Sequence, residues 1–255
     1  MLAGAPIVLG AIWLGGWWLF ALVLAGALVG LHEFYAMARP LRPLVLAGFG
    51  GATAMLFGTE LGGVEWMVGG FLATLVLAFL LYLVASTRAP ATAAVSSTVH
   101  GVAWIGFGLG FLLLLRDLPQ HGRLVTFAVV IAVWVGDTVA YLIGRAVGRH
   151  KFSPSISPAK TWEGFVAGTA GAIFAMFVAL YDDRATFLSI SEALVLGAIV
   201  AVAAVLGDLF ESAFKRDLEV KDSGRLLAGH GGVLDRVDAF LFALHAAYFT
   251  VVALT

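Results

Sequence analysis

Cysteine is absent from the 255 residues, so neither a disulfide framework nor a thiolate zinc site is possible. Charge is scarce as well. Asp, Glu, Lys and Arg make up 12% of the chain, while 61% of it is hydrophobic. A soluble domain of this length carries about twice that share of charge. Lys and Arg are confined to short stretches between apolar runs, and nothing reads as a nucleic-acid patch. Residues 1 to 31 carry no charge at all. No Lys or Arg precedes the first apolar run, which argues against a cleaved signal peptide. What remains is a succession of long apolar runs with 31 glycines, a composition suited to close helix–helix packing in lipid. The expected fold class is an all-α, polytopic integral membrane protein.

The apolar runs predict about nine transmembrane helices, near residues 2–14, 17–37, 45–57, 67–84, 99–115, 124–143, 164–181, 193–211 and 237–254. The first 31 residues would form a helix of about 45 Å, too long for one crossing of a core roughly 30 Å thick. A break at Gly15-Gly16 is therefore expected. Loops after even-numbered helices hold twelve of the fifteen Lys and Arg residues, and loops after odd-numbered helices hold only Arg116, Arg123 and Arg184. That bias places the even loops in the cytoplasm. Trp17, Trp18, Trp66 and Trp104 read as interface anchors, and His32, Glu33 and Arg39 as an interfacial helix end. Polar motifs concentrate in residues 121–255, and residues 1–120 form an N-terminal set of spans with little motif content.

The most polar stretch is 212–238, SAFKRDLEVKDSGRLLAGHGGVLDRVD, which holds five of the fifteen Lys and Arg residues between two apolar runs. Lys215, Arg216, Lys221, Arg225 and Arg236 supply positive charge. Gly229, Gly231 and Gly232 around His230 let backbone N–H groups approach a ligand, and the helix that follows points its positive end at it. Asp235 and Asp238 are three apart, so they share a helix face and can hold a divalent cation from one side. Cations for phosphate beside carboxylates for Mg²⁺ make a nucleotide site.

The stretch resembles the signature of the phosphatidate cytidylyltransferase (CDP-diacylglycerol synthase) family, in which Ser, Lys-Arg, Lys-Asp, His-Gly-Gly and Asp-Arg-x-Asp recur in order. Ser212, Lys215, Arg216, Lys221, Asp222, Gly224, His230, Gly231, Gly232, Asp235, Arg236 and Asp238 match, and Ala228 stands where the family usually has Pro. A second polar segment, Ser157-Pro-Ala-Lys-Thr-Trp-Glu-Gly, resembles the family's other recurring motif. Ser157, Lys160, Thr161 and Glu163 agree there, and Ala159 replaces a lysine.

Two acids lie inside apolar helices, Asp137 and Asp208. An unpaired carboxylate at a helix centre costs on the order of 2.5–3.5 kcal/mol, less near the interface. Their depth, close to the cytoplasmic ends, favours a site for hard cations over structural use. The resemblance implies transfer of a cytidylyl group from CTP to phosphatidic acid. Asp208 and Asp235 are then the expected metal ligands, with Asp137 and Asp238 as further ligands or supports, and Mg²⁺ as the cofactor with room for a second cation. Asp208, Asp235, Lys215 and His230 are the expected catalytic set. Lys215, Arg216, Lys221, Gly231, Gly232 and Arg236 would hold CTP phosphates. Arg145, Ser157, Lys160 and Thr161 would meet the lipid phosphate or pyrophosphate. His230 serves either as a phosphate contact or as a hydrogen bond that fixes its loop. Expected partners are CTP, phosphatidic acid and membrane lipids, without nucleic acid, and a homodimer is compatible with the sequence. The expected location is the cell (inner) membrane with the active-site loops cytoplasmic. Two alternatives remain open: a CTP-dependent kinase of a polyprenol or other lipid, and an ion-coupled transporter.

Overall fold

The structure, a computed structural model, describes residues 4–85, 89–224 and 231–255. The described residues are almost wholly helical, and seven of their helices are long and apolar enough to cross a membrane. The chain divides into two compact units. One comprises Met1–Leu114 with Leu218–Val237, the other Leu115–Asp217 with Asp238–Thr255.

The first unit starts with α1 (Gly4–Leu14) and α2 (Gly16–Met37), separated at Gly15 as the length argument requires. A 3-10 turn, Arg39–Leu41, leads to α3 (Val45–Val84). Then come α4 (Ala91–Gly101), a π-helical turn at Val102–Gly106, and α5 (Phe107–Arg116), whose last two residues belong to the second unit. The expected count of about nine crossings is not confirmed. At 11 residues, α1 rises only about 16 Å and cannot span a bilayer core. The 40 residues of α3 form one continuous stretch that reverses at Gly62-Gly63, where Gly63 takes φ 68°. Its two arms fold back on each other. Cβ atoms added at Gly58 and Gly70 would stand 2.6 Å from the Trp66 carbonyl and 2.5 Å from Met55 Cα.

Trp17, Trp18 and Trp66 are exposed, as interface anchors must be. Trp104 is not an anchor: it is buried, with its ring edge-on to Phe34 at 5.9 Å. The π-turn is where it sits, and a hydrophobic core partner outweighs an interfacial position.

The second unit is built for close approach. It contains α6 (Gly122–Val147), a hairpin of β1 (Lys151–Ser153) and β2 (Ser157–Thr161), α7 (Trp162–Leu180), α8 (Ile190–Asp217) and α9 (Leu234–Leu254), which starts in the first unit. Gly136, Ala140 and Gly144 on α6 meet Gly164, Gly168 and Ala172 on α7 at four-residue spacing. A Cβ on Gly168 would stand 2.7 Å from both Ala140 Cβ and the Gly136 carbonyl. Small residues at this spacing drive helix association in lipid, where no hydrophobic force separates helix from solvent. Gly197 brings α8 against Ile173 of α7 in the same way. Phe240 and Phe242 seat α9 on Trp134 and Phe210, with ring centroids 6.4 and 5.2 Å apart.

Candidate active site

In the second unit, tight packing of α6 on α7 fixes where the β hairpin emerges and thus where Lys160 lies. Lys151 pairs with Thr161 and Ser153 with Ser157 in antiparallel register. Thr161 closes the hairpin and caps α7, its hydroxyl accepting from the Gly164 N–H at 3.2 Å. One residue earlier, Lys160 Nζ reaches Asp208 Oδ2 at 2.7 Å. The Ser212 hydroxyl, one turn along α8, approaches the other oxygen of Asp208 at 3.4 Å. Asp137 on α6 interacts electrostatically with both Asp208 and Lys160. The two intramembrane acids therefore share one locale with a lysine.

A second acid pair lies beside it. Glu211, only 1% exposed, takes a 2.9 Å ion pair from Lys215 and lies close enough to Asp238 of α9 for their charges to interact. Asp238 in turn feels the charge of Asp208. Asp137, Asp208, Glu211 and Asp238 outnumber Lys160 and Lys215 by two formal charges, and two of the acids, Glu211 and Asp238, are buried, where charge needs compensation. Hard carboxylate oxygens in excess suit a divalent cation such as Mg²⁺. Among the described residues, no three His, Asp or Glu side chains form a ready-made metal site. Lys160 occupies Asp208 Oδ2 in this conformation.

The other expected cations are more dispersed. Arg216 donates from Nε to the Ile156 carbonyl at 3.3 Å, tying the end of α8 to the hairpin. Arg145 is exposed and donates to the Tyr141 hydroxyl at 3.1 Å, one turn back on α6. Lys221 and Arg236 are exposed, and Ser157 is half-buried. His230 and Arg225 lie outside the described residues.

In the first unit, the residues around the glycine cluster are organised by an acid read from sequence as a helix end. Glu33 is 2% exposed. It accepts the Val233 and Leu234 N–H groups at 3.0 and 2.8 Å and the Ser223 hydroxyl at 3.3 Å. It therefore sits where an anion satisfies the unpaired N–H groups at the start of α9. Asp235 accepts the N–H of Gly232 at 2.7 Å and that of Ser223 at 3.2 Å. Gly231 needs its glycine, with φ 82° beside Asp235. The Gly232 N–H expected to face phosphate is thus directed to a carboxylate in this conformation. The sequence places Glu33 at an interfacial helix end and does not single out Glu211. The signal was there, since each is an acid within or at the end of an apolar helix, the criterion that singled out Asp137 and Asp208.

The sequence profile described as the cytidylyltransferase family matches residues 1–254. The chain belongs to the cytidylyltransferase family. Among curated proteins, it is 44% identical over 143 residues to a phosphatidate cytidylyltransferase of Staphylococcus haemolyticus, covering 56% of this chain and 54% of that one. It is 41% identical over 129 residues to the phosphatidate cytidylyltransferase of Haemophilus influenzae, covering 49% and 45%. A third, from Staphylococcus aureus, is 43% identical over 145 residues, covering 56% and 54%. The chain thus spans about half the length of the curated relatives it matches. Within this cytidylyltransferase-family member, Asp137, Lys160, Asp208, Lys215 and Asp238 converge in the second unit, and Gly231, Gly232 and Asp235 belong to the first.

Proposed function

We propose that the chain is a CTP:phosphatidate cytidylyltransferase, forming CDP-diacylglycerol and pyrophosphate for phospholipid biosynthesis. The observation that carries this reading is the Lys160–Asp208–Asp137 cluster: lysine and hard acids at the membrane-embedded end of the helices, in a chain of this family. The relatives named phosphatidate cytidylyltransferase support the choice of acceptor.

In the proposed reaction, a phosphate oxygen of phosphatidic acid attacks the α-phosphorus of CTP. The bond from that phosphorus to the oxygen bridging to the β-phosphorus breaks, and pyrophosphate leaves with the electron pair. The attacking oxygen is already anionic, so no strong general base is needed, and catalysis is mostly positioning and neutralisation of charge. Lys160, released from Asp208, meets the lipid phosphate or the pyrophosphate, and Lys215, Lys221, Arg216 and Arg236 hold the triphosphate. Asp137, Asp208 and Asp238 would hold Mg²⁺, and Asp235, in the first unit, is a ligand candidate by its motif alone. When bound, the ion would neutralise the triphosphate and the developing charge on the leaving group. The site faces the cytoplasmic side of the inner membrane in this reading, where the bias of Lys and Arg puts its loops. A CTP-dependent lipid kinase would use the same parts, but the names of the relatives favour the transferase. The test is pyrophosphate release by purified protein given CTP and phosphatidic acid, with and without chelator. Release that needs both substrates and stops with chelator supports the proposal; release of CDP in place of pyrophosphate sinks it.

A further inference from the structure

We infer that Glu33 is a positioning residue, a built-in anion that holds the segment around Ser223 and Asp235 in its working shape. The inference rests on the proposed function for its consequence, though its geometry lies wholly in the first unit. Glu33 comes from α2, some two hundred residues from its partners in sequence. Its two carboxylate oxygens receive three donors: the N–H groups of Val233 and Leu234 and the hydroxyl of Ser223. Ser223 passes the constraint on. Its hydroxyl accepts the Asp235 N–H at 3.3 Å while its own N–H donates to the Asp235 carboxylate at 3.2 Å. Asp235 is thereby held through its main chain and its side chain, by a residue that Glu33 fixes.

The glycines testify to how closely the carboxylate is wrapped. A Cβ on Gly224 would collide with Glu33 Oε1, and one on Gly232 with Ser223 Oγ and Glu33 Oε2. At these two glycines a side chain would have to displace the carboxylate or the serine hydroxyl bound to it. Only a carboxylate meets every donor present. An amide at position 33 would set its NH₂ group against an N–H or a hydroxyl already donating, leaving buried donors unsatisfied.

The experiment compares wild type, Glu33→Gln and Ser223→Ala in detergent. It measures amide exchange of the 218–237 segment, melting temperature and equilibrium binding of labelled CTP with Mg²⁺ and no lipid. Glu33→Gln should speed exchange of the Val233 and Leu234 amides by about tenfold or more, the scale of one lost charged hydrogen bond. It should weaken CTP binding several-fold, while exchange in 122–147 stays as in wild type. Ser223→Ala should show the same pattern more weakly, and it decides the matter if Glu33→Gln does not fold. Unchanged exchange and unchanged CTP affinity in the folded variants would overturn the positioning role. A uniform rise in exchange along the whole chain would do so too, since it marks Glu33 as a general stability element. Wild type that binds no CTP overturns the proposed function instead, and the exchange of 233 and 234 still decides whether Glu33 holds the segment.

Discussion

Lys160 Nζ lies 2.7 Å from Asp208 Oδ2, joining the β hairpin to the polar end of α8 by one ion pair. Both side chains are partly open to solvent, at 23% and 39%, so the pair itself adds little stability. Its value is in holding a movable cation over an acid that the proposal assigns to Mg²⁺. Lys160→Ala should therefore leave the melting temperature within a few degrees of wild type. Turnover should fall about ten- to a hundredfold, the worth of a charged hydrogen bond made to phosphate. Steady-state kinetics on the folded variant check this, and wild-type turnover would mean that the hairpin lysine is a solvated charge.

Asp137 and Asp208 interact, so their losses should not add. Asp208→Asn alone should remove nearly all turnover, and Asp137→Asn a large part of it. The double variant should be little worse than Asp208→Asn. Helical content should survive, because replacing a lipid-embedded carboxylate relieves a desolvation cost. Titrating Mg²⁺ against turnover in the three variants measures this. Independent, multiplying losses would place the two acids in separate roles.

Much of this site was legible in the sequence for a simple reason. An acid in an apolar helix is costly, so Asp137 and Asp208 announced themselves, and the spacing around Lys215 and Lys160 pointed to phosphate. Glu33 and Glu211 were hidden because each closes an apolar run, where a charge ordinarily reaches water. Burial at 2% and 1% comes from partners distant in sequence or on another helix, which periodicity does not report. Trp104 was misread for the same reason. The count of about nine spans is not confirmed, since α1 is too short to cross; α3 runs through both stretches expected as separate spans and reverses between them at Gly62-Gly63. His230 falls outside the described residues, and its two readings stand as they were.

The α6–α7 contact should tolerate no added side chain. Gly168→Val places a Cβ 2.7 Å from the Ala140 Cβ and the Gly136 carbonyl, and the helix backbones have to separate. Overpacking of this kind costs about 1–3 kcal/mol. A lowered melting temperature with reduced turnover per folded molecule is expected, since the same contact sets the hairpin that carries Lys160. An unchanged melt would show that the two helices separate at no cost.

Topology can be read with single cysteines, since the native chain has none. Ser155 and Asp222 are exposed, whereas Ser223 is 4% exposed and a poor labelling position. Ser155→Cys and Asp222→Cys should resist an impermeant thiol reagent in intact cells and react after permeabilisation. Labelling of either from outside would reverse the proposed orientation.

The most direct measurement follows the two ends of the triphosphate separately. Purified protein is given phosphatidic acid with CTP labelled at either the α- or the γ-phosphate, and the lipid is extracted. Cytidylyl transfer predicts that α-label enters the lipid while γ-label leaves as pyrophosphate. Label from the γ-phosphate in the lipid, with none from the α-phosphate, would contradict the account and make the chain a lipid kinase.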